Sequence, residues 1–317
     1  QIHAIANLQN GGSNPALLGS DGTKITYREL SDQIASVEGV SPGVLFLIPD
    51  SSVGCVVEYL KALASDSVIF LIPAVTSQLQ LESLVKEYRP SFIYGSVEEL
   101  KRRELSFRVL YKEFGVHETD NTSESREFPS QLLLSTSGST GSKQFVRLSH
   151  RGLLSNASDI AVSLQLCEDD ISITSLPLSY TFGLSILHSH LFAGGAIVCS
   201  NNSVVDRKFL ELLSKYQVTS LYGVPTSFEV FERLQLLGGR FPQLMRYAQA
   251  GGAMQPAVAR RIAETVSAKG AKFFMMYGQT EATARISILD PELVKEFPNS
   301  VGTAVRSGEL GIGTSGD

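Results

Sequence analysis

From near residue 44 to near residue 277, apolar runs of four to six residues alternate with segments of helical periodicity. Strand, helix and strand in succession connect compactly only when the helix crosses over one face and the strands lie parallel, so this rhythm predicts an α/β fold with largely parallel sheets. Val44 to Ile48 reads as a buried strand and Ser51-Ser52 as an N-cap. Val53 to Ala64 reads as a helix with Val53, Val56, Val57, Leu60 and Leu63 on its apolar face. Further strands are expected at 68–72, 92–94, 132–136, 171–175, 196–199, 218–222, 244–250 and 272–277, and helices at 79–88, 151–166, 184–192, 207–215, 226–237 and 256–268. That is more strands than one minimal doubly wound sheet holds, so two packed sheets in one large domain, or two subdomains, are expected. The polar stretch 118–127 is a candidate connection between subdomains.

Of the 317 residues, 43% are hydrophobic and 19% charged, ample material for a substantial core. Lys and Arg number 27 against 32 Asp and Glu, a net charge of −5, which argues against a broad electrostatic footprint for nucleic acid. An anionic ligand must therefore meet locally placed donors. Cys55, Cys167 and Cys199 lie far apart, so neither a disulfide framework nor a paired-cysteine metal site is readable, and a reducing, cytoplasmic setting is the default expectation. The longest strongly apolar stretch, Val68 to Ile72, is too short for a membrane span.

One loop carries chemistry. After the strand at 132–136, and before a helix expected from about Ser149, come the residues Ser135-Thr-Ser-Gly-Ser-Thr-Gly-Ser-Lys143. Glycines let backbone N–H groups converge on a concavity, hydroxyls add donors, and Lys143, Arg147 and Arg151 supply charge, so the loop suits a polyphosphate. It is not a Walker A loop, because two residues rather than four separate Gly138 from Gly141. The plainer reading is a Ser/Gly-rich surface loop.

Thr136-Ser137-Gly138-Ser139-Thr140-Gly141 resembles the phosphate loop of the adenylate-forming superfamily, which includes acyl-CoA synthetases, acyl-AMP ligases, luciferases and adenylation domains of peptide synthetases. Ala250-Gly251-Gly252-Ala253 and Tyr277-Gly278-Gln279-Thr280-Glu281 follow in the order that superfamily has, and the resemblance extends over Tyr59 to Ala64 and Pro177 to Gly183. It implies the superfamily's large N-terminal domain across residues 1–317: an α/β fold of two mainly parallel sheets packed with helices, with the small C-terminal domain and its catalytic lysine absent. The implied reaction is activation of a carboxylic acid by ATP as an acyl-adenylate, with release of pyrophosphate, then thioester formation with CoA or a carrier protein. By the same resemblance residues 136–141 and Lys143 would hold the β- and γ-phosphates, Thr280 the α-phosphate, and Glu281 Mg²⁺. Tyr277 with Gly278 and the turn Gly251-Gly252-Ala253 would enclose the adenine, and Asp317 the ribose hydroxyls.

Two departures accompany the match. The superfamily usually continues its phosphate loop with Pro then Lys, where this chain has Lys143 and Gln144, which shifts the lysine by one position. Only 36 positions separate Glu281 from Asp317, so either a loop is deleted or a stretch near 305–311 is missing from the sequence, the second being favoured. A nucleotide- or acyl-adenylate-binding module that does not turn over is the alternative function. His150 reads as a packing or capping residue. Tyr180, Thr181 and Gly183 fall at the expected acid pocket. Amino-acid-activating members commonly carry Asp where Thr181 stands, so the expected substrate is a small acid without an α-ammonium group, whose burial would otherwise lack a counter-charge. Phe182, Leu184, Ile186, Val224, Pro225 and Phe228 read equally as an apolar tunnel or as core.

Overall fold

The computed structural model describes residues 12–36, 43–65, 67–121, 131–136 and 144–311. Its strands in chain order are β1 (Pro15–Gly19), β2 (Lys24–Thr26), β3 (Val44–Leu47), β4 (Val68–Leu71), β5 (Phe92–Ser96), β6 (Arg108–Tyr111), β7 (Phe114–Glu118) and β8 (Gln131–Ser135). They continue with β9 (Phe145–Ser149), β10 (Ile171–Ile173), β11 (Ala196–Cys199), β12 (Ser220–Gly223), β13 (Arg246–Gln249), β14 (Lys272–Tyr277), β15 (Ser287–Leu289) and β16 (Thr303–Ala304). One sheet has the order β16-β15-β14-β13-β12-β10-β11-β1-β2 and the other β6-β7-β5-β3-β4-β8-β9. The centre of each is parallel, as the rhythm predicts, and the antiparallel strands lie toward the edges: β2, β6, β7, β9, β15 and β16.

Because successive side chains of a strand point to opposite faces, each sheet feeds two layers. Leu45, Leu47, Leu132 and Leu134 of one sheet and Ala248, Phe274 and Met276 of the other enter a shared core, which the helices Val53–Ala64 and Thr181–Ala193 help to fill. The alternate residues face outward. Phe46, Phe70 and Leu133 pack on the helix Gln78–Tyr88, while Tyr247, Phe273 and Met275 pack on Pro225–Arg233 and Pro256–Ser267. The result is five layers, helix, sheet, helix, sheet, helix.

The helix Val53–Ala64 starts where Ser52 accepts a hydrogen bond from the amide of Cys55, as the N-cap reading requires. The expected one-sided apolar face is corrected: Gly54, Cys55, Glu58, Tyr59 and Ala62 are buried as well, because this helix lies between two sheets rather than on a surface. The sequence reading also missed β1, β2 and the helix Tyr27–Ala35, the hairpin β6–β7, and β9. Residues 122–130 lie outside the described set. The flanks of the polar stretch 118–127, β7 and β8, belong to the same sheet. The chain instead changes sheets after β2 and after β9, through the helices Tyr27–Ala35 and His150–Ser163. Among the described residues no helix is long and apolar enough to cross a membrane.

Thr181–Ala193 is the most enclosed helix, with eleven of its 13 residues buried. Its buried His188 is hydrogen-bonded through Nε2 to the Tyr59 hydroxyl at 2.9 Å, with the two rings stacked at 5.8 Å, a polar tie between the central helices. Tyr59→Phe is expected to lower stability by about 1–3 kcal/mol, since the imidazole nitrogen would stay buried without its partner. Urea unfolding reads this directly, and an unshifted midpoint would count against the tie.

Candidate active site

In open parallel sheets ligands gather beyond the carboxyl ends of the strands, because loops there diverge and leave a crevice. Gly223 pairs with Gln249, and Gln249 with Met275, so the carboxyl ends of β12, β13 and β14 lie level. Two residues past Gln249 is Gly251, and two past Met275 is Tyr277. The turn after β13 is held by Gln249 Nε2 donating to the Gly252 carbonyl at 2.7 Å. Gly251 has φ +81°, a left-handed conformation, and a side chain on it would strike the Tyr180 hydroxyl. Gly251, Gly252 and Ala253 are exposed, and Tyr277 is 44% exposed. A bare backbone turn beside an uncovered aromatic face is a surface on which a flat heterocycle can lie.

Beyond Tyr277 the chain makes a nine-residue turn before returning as β15, with Tyr277 opposite Ser287. The turn folds tightly over its own start, and a Cβ on Gly278 would collide with the Ala284 carbonyl. Thr283 and Ala284 both adopt positive φ, 63° and 113°, a strained arrangement for residues with side chains. The first turn of His150–Ser163 braces it: Thr283 Oγ1 lies 3.2 Å from where a Cβ on Gly152 would stand. Further along the same helix, buried Asn156 donates from Nδ2 to the Arg285 carbonyl at 2.8 Å and accepts from the Arg285 amide at 3.3 Å. The single helical turn Thr280–Ala282 within this loop packs against β9.

β9 corrects the expectation that the Ser/Gly loop runs from a strand into a helix. It lies in an antiparallel hairpin between β8 and β9, closed at its neck by the Thr136 amide donating to the Gln144 carbonyl at 3.0 Å. Residues 137–143, including Ser137, Gly138, Ser139, Thr140, Gly141 and Lys143, lie outside the described residues, as does Asp317. Thr136, half-buried at the hairpin neck, directly follows β8 of the sheet whose last strand touches the Thr280 turn.

The third component is the start of the helix Thr181–Ala193. Thr181 Oγ1 is 2.7 Å from Thr280 Oγ1, joining the helix to the turn after β14. Tyr180 is 36% exposed, with its ring edge-on to Phe182 at 6.3 Å. Gly183 is buried, and a side chain there would meet the carbonyls of Leu176 and Pro177, so glycine is required for the preceding loop to fold over the helix start. Leu184, Ile186 and Phe228 are core, Phe228 packing on Phe231 and Phe273 away from the crevice.

Sequence reasoning missed Arg285. It is only 3% exposed, its guanidinium lies 4.0 Å from the centre of the Phe182 ring, and Nε has no hydrogen-bond partner among the described residues. Burial pulls its pKa down to about 9. Tyr222, at the end of β12, likewise has a buried hydroxyl without a partner among the described residues, and burial raises its pKa. The signal in the sequence was a lone arginine between a small-residue turn and an apolar strand, Ala282-Thr283-Ala284-Arg285-Ile286. Glu281 is exposed on the turn. Among the described residues no group of three or more His, Cys, Asp or Glu side chains could hold a metal ion. A magnesium ion shared between one carboxylate and substrate phosphates needs no such cage, so Glu281 fits that demand.

The chain belongs to the AMP-binding enzyme family, whose model matches residues 53–313. Among curated proteins it is similar to 2-succinylbenzoate–CoA ligase of Bacillus subtilis (strain 168), 30% identical over 185 residues, covering 58% of this chain and 36% of the ligase. It is also similar to feruloyl-CoA synthase of an Amycolatopsis species, 28% identical over 171 residues, covering 54% and 34%. The chain thus spans about a third of the length of these relatives. Among solved structures, apo MatB from Rhodopseudomonas palustris superposes with a TM-score of 0.77 at 21% identity, covering 96% of this chain and 64% of that one. The o-succinylbenzoate CoA synthetase of Bacillus subtilis with its acyl-adenylate intermediate gives 0.74 at 19%, covering 100% and 66%. The fold is that of the large N-terminal domain of adenylate-forming enzymes.

Proposed function

We propose that this member of the AMP-binding family forms an acyl-adenylate from ATP and a carboxylic acid, releasing pyrophosphate, and that the acyl group then passes to a thiol of CoA or a carrier protein. The observation that carries the reading is the 2.7 Å contact between Thr181 and Thr280, because it joins the helix we assign to the acid to the loop we assign to the nucleotide. Attack of a carboxylate on an α-phosphate unites two anions, so the chain's task is to position them and to place donors where charge accumulates. Thr280 is suited to donate to the α-phosphate, with Thr181 fixing the rotamer of its hydroxyl. The shelf of Tyr277, Gly278 and Gly251-Gly252-Ala253 is suited to the adenine, and the hairpin loop after Thr136, through Lys143, to the terminal phosphates. Asp317 is assigned to the ribose. Mg²⁺ held by Glu281 would neutralise phosphate charge. The acid is one without an α-ammonium group: Thr181 supplies no counter-charge and Arg285 would repel a second cation.

ATP–pyrophosphate exchange by the full-length protein tests the reading, with a panel of aliphatic and aryl acids and the matching α-amino acids. Acid-dependent exchange is expected. Tight binding of MgATP with no exchange for any acid would favour the alternative, a nucleotide-binding module without turnover.

A further inference from the structure

Resting on the acid-activation reading, the inference concerns what the far end of the acid carries. A buried guanidinium is costly unless an anion or several acceptors meet it. Among the described residues no carboxylate forms an ion pair with Arg285 and its Nε has no partner, while the guanidinium lies against the face of Phe182. The ring holds the cation in place by its π-face, yet cannot accept from the in-plane Nε–H, which has no acceptor among the described residues. Next to Phe182 stands Tyr222, ring edge-on at 6.3 Å, with its own buried hydroxyl unpartnered among the described residues. Beside Tyr222 is His190, 5.5 Å away edge-on, whose Nε2 is also buried and has no partner among the described residues. His190 Nδ1 is engaged with the Ile186 carbonyl at 3.0 Å, which leaves Nε2 as an acceptor if the ring is neutral.

These groups adjoin the Thr181–Thr280 contact through Phe182, which touches both Arg285 and Tyr222. Thr181 opens the helix, Phe182 is the next residue and buried, and Tyr222 is the last residue but one of β12. Asn156 clamps the Arg285 backbone on both sides, so the arginine is set in position rather than trailing from a loose turn. We infer that the acid pocket ends in an anion-receiving floor, and that the substrate is an acid bearing a second carboxylate, which pairs with Arg285 and accepts from the Tyr222 hydroxyl while the first carboxylate reacts near Thr280. A bidentate arginine–carboxylate pair with one added hydroxyl donor would satisfy the Arg285 and Tyr222 donors left open there, while His190 Nε2, an acceptor, stays outside this pairing. Sites built around such donors reject analogues lacking the acceptor, because the donors are then left unpaired.

Matched pairs test this in the full-length protein: adipate against hexanoate, and isophthalate against benzoate. The doubly charged acid of each pair should be favoured about a hundredfold in kcat/KM for pyrophosphate exchange. Arg285→Met keeps length and apolar contact without charge, and should bring that ratio close to one; Arg285→Lys should keep part of it. A second readout needs no turnover. Without nucleotide, adipate or isophthalate should raise the Tm of the wild type and not of Arg285→Met, while hexanoate and benzoate leave both unmoved. Exchange that favours the singly charged acids would overturn the inference and leave acid activation standing, as would a ratio untouched in Arg285→Met. Loss of exchange for both members of each pair in a folded Arg285→Met protein would also overturn it, by assigning the arginine to the reacting carboxylate. Exchange with no acid, together with a diacid-specific Tm shift that Arg285→Met abolishes, would sink adenylation while keeping the diacid site. The absence of any Tm shift would remove the site.

Discussion

Thr280→Ala in the full-length protein is expected to lower pyrophosphate exchange by about 10²–10³-fold while leaving the fold intact, the range found when one preorganised donor to a developing oxyanion is removed. The hydroxyl is fixed before substrate arrives, because Thr181 Oγ1 sits 2.7 Å from it and the turn behind it is locked over Gly278 and braced by Gly152. A donor already aimed has no reorganisation to undergo as charge builds, and its effect falls on kcat more than on KM. Thr181→Val removes the aiming group and keeps the donor, so a smaller loss, about tenfold, is expected from it. Glu281→Ala should make activity depend on higher Mg²⁺ concentration, because the carboxylate is exposed and acts through the ion rather than the fold. Near wild-type exchange in Thr280→Ala, with its circular dichroism unchanged, would show that the α-phosphate has another donor.

Much of the fold was legible because its central strands are fully buried, and burial on both faces writes a continuous apolar run. Val53–Ala64, Ala196–Cys199, Arg207–Lys215 and Lys272–Tyr277 have the expected bounds. The edges were not legible, for the converse reason. In β6, Arg108 and Val109 are both exposed, and β16 has two residues, so neither leaves a periodic trace. β9 was absorbed into the expected loop because Phe145, Val146 and Arg147 alternate poorly between core and solvent. At the site, glycines and hydroxyls that form local motifs could be read in order. The contacts that organise them could not: Thr181 with Thr280 spans 99 positions, and Asn156 with Arg285 spans 129. Arg285 was invisible for a further reason, since an isolated arginine in sequence reads as surface, and only packing reveals it under Phe182.

Acidification from pH 7 to pH 5 is expected to cost the fold about 4 kcal/mol, a loss arising from two histidines of one helix. His188 and His190 are buried, and removal from water holds their pKa values down at about 3 and about 4, against 6.5 for an ordinary imidazole. For His188 a smaller push in the same direction comes from His150. Both are neutral in the folded protein down to about pH 4, while in the unfolded chain they take up protons as pH falls through 6.5. Below that point the unfolded state binds about two more protons, so stability is fully present above 6.5 and falls by roughly 2.7 kcal/mol per pH unit until the folded values are reached. Carboxylates held low in the folded state, such as Asp21 beside Lys112, act in a separate window, because their unfolded values lie near 4. Urea unfolding at pH 7.5, 6.0 and 5.0 isolates the histidines. His190→Gln, which keeps a side-chain donor within reach of the Ile186 carbonyl, should halve the slope over this interval even if it lowers stability at neutral pH. A flat profile between pH 7 and pH 5 would mean that water or a counter-charge reaches these rings, and that the interior of Thr181–Ala193 is not dry.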